Sequence, residues 1–241
     1  MLRVAKHAGA AAALVRECRL LPRLASTLPL AVPEPEFCFA GEGDDPAFAL
    51  HRELPGPALT RERYLALPEP ARERCAGAVG RFLARLHATD LALARACGVP
   101  EVDYGRRAAE LLERAREGLW PRLAEEDRRW VERRLTVFPG GDPARVPRVL
   151  LHGDLSPDHI LYDEAAARVT GVIDFGDLAA GDPAWDLVYL YEDYGEDFLE
   201  RAMRAYPAEG DPGWRVRMRW HLAVDAVRWA VECVETGDEE G

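Results

Sequence analysis

The sequence predicts an α+β chain, with a small β-rich beginning and a mainly helical remainder. Three observations predict it. Short apolar, β-prone runs broken by proline, glycine and acidic residues gather in the first 54 positions. Apolar residues at helical spacing fill much of residues 70–137 and 187–235. Between those tracts, three β-prone runs from 149 to 173 each lead into polar groups.

Taken in order, Leu2 to Lys6 reads as a short strand that ends in lysine. Ala10 to Leu24 is rich in alanine and leucine and reads as a helix stopped near Pro22. A proline-punctuated connector, Pro29 to Pro35, follows. Glu36 to Ala40 and Phe48 to Leu54 then read as strands flanking an acidic turn from Gly41 to Pro46. A domain boundary is expected near residue 57, dividing the chain into 1–56 and 57–241. Within Pro70 to Cys97, positions Cys75, Val79, Phe82, Leu83 and Leu86 share one helical face, and His87 reads as a structural hydrogen-bonding residue. Asp103 is placed to cap a helix that Pro121 interrupts. A further helix is expected from Glu125 to Val137, its charged face in solvent. Leu187 to Tyr206 reads as one helix or a helix pair. Trp214 to Glu235 closes the chain as an amphipathic helix with Trp220, Val224, Val227 and Val231 inward.

Composition narrows the function classes. At 241 residues, 48% hydrophobic and 30% charged, the chain can bury a full core. It has no apolar run near the roughly 20 residues a membrane span needs, and no signal peptide is visible. Five scattered cysteines without paired spacing read as reduced thiols of a cytoplasmic protein. A net charge of −11 argues against nucleic acid and anionic membrane as partners, and is compatible with a cationic substrate. Of the 31 basic residues only Lys6 is lysine, and an ammonium and a guanidinium are not interchangeable where a phosphate is met.

The chain is organised around Val149 to Asp163 and Val172 to Asp177. Val149, Leu150 and Leu151 lead into His152, Gly153 and Asp154; Ile160 to Tyr162 and Val169 to Ile173 pair across a turn at Asp163 to Arg168. That hairpin geometry brings Asp154, His159 and Asp174 to one end of a small sheet, where three such residues can hold a metal and position a hydroxyl.

These residues resemble the catalytic core of kinase-like proteins. Asp154 and His159 stand five apart, and Asp174-Phe175-Gly176 is an Asp-Phe-Gly. His152-Gly153-Asp154 resembles the aminoglycoside phosphotransferase family of small-molecule kinases. Histidine at 159 is similar to the aminoglycoside 2''-phosphotransferases and the macrolide phosphotransferases. The resemblance implies a kinase-like two-lobe fold with a truncated N-terminal β lobe, because two strands and a phosphate-covering loop are expected before Lys6. It implies that Lys6, paired with Glu17, meets the nucleotide's α- and β-phosphates. Phe48 to Gly56 resembles the family's hinge, so His51 would sit behind the base and Arg52, Glu53 and Leu54 would offer it backbone groups. Gly181 to Asp186 resembles the segment that opens the next helix; Asp182 caps it, and both Asp182 and Asp186 brace the catalytic loop.

The chemistry implied is transfer of the γ-phosphate of ATP or GTP to a hydroxyl of a small molecule. Asp154 would accept or align the hydroxyl proton, while His159 and Asp174 would hold Mg²⁺. An aminoglycoside or related antibiotic is one acceptor class. The run Glu192, Asp193, Glu196 and Asp197 is either a set of carboxylates for amino groups or a solvated helix face. A nucleotide-binding kinase-like protein with impaired catalysis is the alternative. A protein kinase is disfavoured, because Asp182-Pro183 follows too soon for an activation segment.

Overall fold

The computed structural model describes residues 1–43, 45–139, 145–206 and 211–237. The chain folds as two compact units, Met1–Glu101 with Arg148–Gly210 and Val102–Pro147 with Asp211–Gly241. The expected boundary after residue 56 is not where these units divide. Backbone hydrogen bonds across that boundary explain why: Ala31 donates to Thr170 O and accepts from the Val172 N–H, knitting the beginning of the chain to the 149–173 stretch.

In the first unit, β1 (Leu2–Val4), β2 (Pro35–Phe39) and β3 (Phe48–His51) form an antiparallel sheet in the order β1-β3-β2. Side chains alternate across a strand, so the register sets the two faces. Leu2, Leu50 and Phe37 lie in one row and Val4, Phe48 and Phe39 in the next, all on one apolar face. Ala5, Ala47 and Ala49 share the opposite face with Arg3, and there they pack on Leu14, Ala11 and Cys18 of α1 (Ala8–Leu24). His7 caps α1, its Nδ1 accepting from the Ala10 N–H. Pro22 does not stop this helix. It falls in the last turn, where it removes only one backbone donor, and buried Leu20, Leu21 and Leu24 hold that turn in place. β3 ends at His51, so Arg52 to Leu54 follow it as irregular chain and not as strand.

The central stretch forms two small sheets where one was expected. β5 (Ile160–Asp163) and β6 (Arg168–Val172) make the hairpin read from the sequence. β4 (Val149–Leu151) pairs instead with β7 (Ala179–Gly181), a strand hidden by its weak β-formers. Around them lie α2 (Arg61–Ala66), α3 (Glu69–His87), α4 (Leu91–Ala96), α7 (Val188–Tyr194) and α8 (Glu196–Arg204). Asp90 caps α4 and separates it from α3, so Pro70 to Cys97 is two helices. Gly195, at φ +89°, separates α7 from α8. Gly80 lets α3 lie directly on the α8 backbone: a Cβ there would collide with the Ala202 carbonyl.

The second unit is helical. Asp103 caps α5 (Tyr104–Arg114), accepting from the Arg106 N–H at 3.0 Å. The helix opens into a π turn at Ala115–Leu119 and a tighter turn at Trp120–Arg122, then α6 (Glu125–Thr136) follows. α9 (Trp214–Thr236) sets Val227 and Val231 among Leu111, Leu112, Val131 and Leu135. Among the described residues, no helix is long and apolar enough to cross a membrane.

Candidate active site

β4 leaves Leu151 buried and turns at once into His152, Gly153 and Asp154. The turn needs glycine: Gly153 has φ +91°, and a Cβ there would strike the Asp177 carbonyl. Its backbone is held by Asp186, whose carboxylate accepts from the His152 and Gly153 N–H groups at 2.9 Å each and from His87 Nε2 at 3.0 Å. Burial raises the Asp186 carboxyl pKa, but the His87 hydrogen bond, the neighbouring His87 and His152 rings and the Gly153 N–H together outweigh it and hold the group below the usual range. Asp182 accepts from the Ala184 N–H, starting the turn that carries Asp186. Asp186 thus braces the loop, and Asp182 caps the turn behind it.

His152 is fully buried against Phe175, with ring centroids 4.6 Å apart. The Asp154 N–H donates to its Nδ1, so the proton sits on Nε2, which donates to Ile173 O at 3.1 Å. Burial keeps this imidazole neutral by lowering its pKa. Both of its ring nitrogens are taken up by backbone groups of the loop and of the strand end at Ile173.

His159 arrives from the turn before β5, and its Nδ1 lies 2.7 Å from the Asp154 backbone carbonyl. A carbonyl only accepts, so Nδ1 carries a proton and Nε2 is the nitrogen turned toward Asp174. That Nε2 stands 3.7 Å from Asp174 Oδ2, while Nδ1 stands 3.6 Å from Asp154 Oδ2. Asp154, His159 and Asp174 are therefore brought together as their spacing predicts. Asp174 adopts φ +61°, a left-handed conformation that aspartate tolerates better than most residues and that often marks functional sites. Half-burial raises the Asp154 carboxyl pKa, with His159 opposing and Asp177 reinforcing the shift.

The cation on β1 differs from expectation. Lys6 does not pair with Glu17; it is exposed in the bend after the strand and forms no ion pair among the described residues. Arg3 takes that place, its NH1 2.6 Å from Glu17 Oε2 and its NH2 3.1 Å from Asp174 Oδ1. Strand alternation is the reason: Arg3 and Ala5 face α1, and Leu2, Val4 and Lys6 do not. Glu17 is 3% exposed, and burial lifts its pKa to about 7 against the pull of Arg3.

The expected hinge residues follow β3 directly. Arg52 is exposed and paired with Glu36 at 2.8 Å, Glu53 is exposed, and the Leu54 side chain approaches Gly171. His51 is buried, its Nδ1 donating to Arg52 O and its Nε2 without a partner. The acidic run also divides. Burial raises the Asp193 pKa, reinforced by Asp158 and Asp154, so Asp193 belongs to the site's surroundings. Asp197 is instead locked to Arg201 at 2.9 Å.

Among the described residues, no group of three or more His, Cys, Asp or Glu forms a metal cage. Mg²⁺ does not require one, since it is commonly held by one or two carboxylates with water and phosphate. Asp174, exposed and projecting from a strained turn, fits that pattern, and Nε2 of His159 faces the same space.

The phosphotransferase enzyme family model matches residues 1–220. The chain belongs to that family. Viomycin phosphotransferase of Streptomyces vinaceus is 27% identical over 207 residues, covering 82% of this chain and 67% of that protein. An aminoglycoside 3'-phosphotransferase of Streptomyces fradiae is 30% identical over 189 residues, covering 70% of this chain and 66% of that protein. Among solved structures, the GDP and kanamycin complex of APH(2")-IIia superposes with a TM-score of 0.89 at 29% identity, covering 99% of this chain and 81% of that one. As a phosphotransferase of this family, the chain has the family's kinase-like α+β fold and is a small-molecule kinase. Sequence reasoning missed Arg3 as the partner of Glu17.

Proposed function

We propose that this chain transfers the γ-phosphate of ATP or GTP to a hydroxyl of a small cationic molecule in the cytoplasm, with a hydroxylated antibiotic as the leading acceptor class. The convergence of Asp154, His159 and Asp174 carries the reading. Five free cysteines and the relatives' named activities support it.

Phosphoryl transfer needs position and countercharge more than covalent help. Asp154 aligns the acceptor hydroxyl and takes its proton; the raised carboxyl pKa makes it a better base. Asp174 would hold Mg²⁺, with His159 Nε2 beside it directly or through water. When bound, the ion would neutralise charge on the phosphates. Backbone groups of Arg52, Glu53 and Leu54 would meet the base. Asp193, whose pKa is raised by burial with Asp158 and Asp154 reinforcing, offers with Asp158 negative charge to an acceptor's ammonium groups.

The test is Mg²⁺-dependent phosphate transfer to a panel of aminoglycosides, viomycin-like peptides and macrolides, with Asp154→Asn beside the wild type. Turnover should fall about 10²–10⁴-fold in the variant with nucleotide affinity nearly unchanged. Equal turnover in both proteins would remove Asp154 from the mechanism.

A further inference from the structure

Two cysteines that the phosphotransfer site does not use meet between the first sheet and its helix. Cys38 lies on β2 opposite Ala49 of β3. Cross-strand partners share a face, so Cys38 stands on the side of the sheet that α1 covers. From α1, Cys18 packs on that same side, against Leu14, Ala47 and Ala49. The thiols are close enough for Cys38 to act on Cys18 through a hydrogen bond as well as through charge. Both are free, and they differ in access: Cys38 is exposed on an edge strand, while Cys18 is half-buried. Burial pushes the Cys18 thiol up to about 12, reinforced by Cys38 and then Glu17. Cys75 and Cys97 are buried, and Cys97 donates to Arg19 O.

We infer that Cys18 and Cys38 are a reversible disulfide site, a clasp between α1 and β2 that a small-molecule disulfide such as oxidised glutathione closes. The site goes beyond the phosphotransfer reading and does not depend on it. Cys38, reachable from solvent, attacks one sulfur of oxidised glutathione as its thiolate. That S–S bond breaks, a mixed disulfide forms on Cys38, and the first glutathione leaves as a thiolate. Cys18 then gives up its proton, and its sulfur attacks the Cys38 sulfur and expels the second glutathione. Two protein thiols are oxidised and one glutathione disulfide is reduced to two thiols. Cys18 is a poor first nucleophile, because its thiolate is scarce. Its place beside Cys38 makes the second step intramolecular, and proximity offsets that scarcity. The bridge closes a loop of about 20 residues and so removes freedom from the unfolded chain. It also ties the sheet to the turn of α1 that carries Glu17, which with Arg3, His7, Arg16 and Asp177 lines a cleft of about 340 Å³. In a reducing cytoplasm such a bridge is transient and forms under oxidative load.

The test treats the folded full chain with oxidised glutathione and follows intact mass, peptide maps and thermal melting. Wild type should lose two hydrogens and yield a Cys18–Cys38 linked peptide. Its melting midpoint should rise by about 5 °C or more and return on addition of dithiothreitol. Cys18→Ser should stop at one glutathione on Cys38, Cys38→Ser should form no bridge, and Cys233→Ser should behave as wild type. Should Cys18→Ser fail to fold, Cys18→Ala is measured in its place. Wild type that stays unoxidised, keeps the glutathione adduct, links two chains through Cys38 or bridges another pair overturns the inference. So does a Cys18–Cys38 bridge that leaves the melting midpoint unmoved, since a clasp must hold what it joins.

Discussion

At the residue scale, Glu17 shows how a buried acid becomes usable. Burial lifts its pKa from 4.5 to about 7, although Arg3 pulls the other way. The folded protein therefore holds this proton across a pH range in which the unfolded chain has released it. Between pH 4.5 and 7 the native state binds more protons than the unfolded state, so stability falls as pH rises through that window. The loss should total about 3 kcal/mol, from the shift of the pKa at 1.36 kcal/mol per unit. Thermal melts from pH 4.5 to 8 should show wild type losing stability relative to Glu17→Gln across that window; parallel profiles would mean that Glu17 titrates normally. The acid itself was legible in the sequence from its place on a helix. Its partner was not. A three-residue strand is too short to display an alternation, so nothing in Leu2-Arg3-Val4-Ala5-Lys6 said which parity faces inward until α1 packed on it.

At the element scale, the packing of α3 on α8 rests on a single missing side chain. Gly80 has an ordinary helical backbone, and its role is purely steric, since any Cβ meets the Ala202 carbonyl. Gly195 is the opposite case, with φ +89° and nothing near its would-be Cβ. Gly80→Ala should lower the denaturation free energy by about 2–4 kcal/mol through forced separation of the helices. Gly195→Ala should cost only about 1–2 kcal/mol of backbone strain. Chemical denaturation of the two variants checks the order, and a larger loss in Gly195→Ala would contradict it. Elements with strong periodicity or punctuation were readable: the β5–β6 hairpin, α9, the Asp103 cap. β7 was not, because Ala179-Ala180-Gly181 carries no β-branched or aromatic residue, and only its pairing with β4 makes it a strand. Asp186 was read as a brace, and its hydrogen bonds to two loop N–H groups and to His87 give that reading its physical content.

At the scale of the whole molecule, charge is the leading property. A chain at −11, with Asp158 and Asp154 near enough to Asp193 to raise its pKa, draws cations toward its site. For a polycationic acceptor, KM should rise several-fold as salt goes from about 50 to 500 mM, because screening shortens the reach of that field. A neutral hydroxylated acceptor should show little change, and initial-rate kinetics on both would tell them apart. The division of the chain was the least legible feature. The hinge resemblance suggests a break near Gly56, yet the backbone bonds of Ala31 with Thr170 and Val172 reach across it, and such cross-links between distant stretches leave no local mark in the sequence. One consequence of the arginine-rich composition is practical. The chain has a single lysine, and that lysine is exposed, unpaired among the described residues and three positions from Arg3, while the α-amino group of Met1 is bonded to His51 O. An amine-reactive fluorophore therefore has one free side-chain target, beside the cleft that Arg3 lines. The protein carries its own attachment point for an optical reporter, with no engineered cysteine and no need to remove the five it already has.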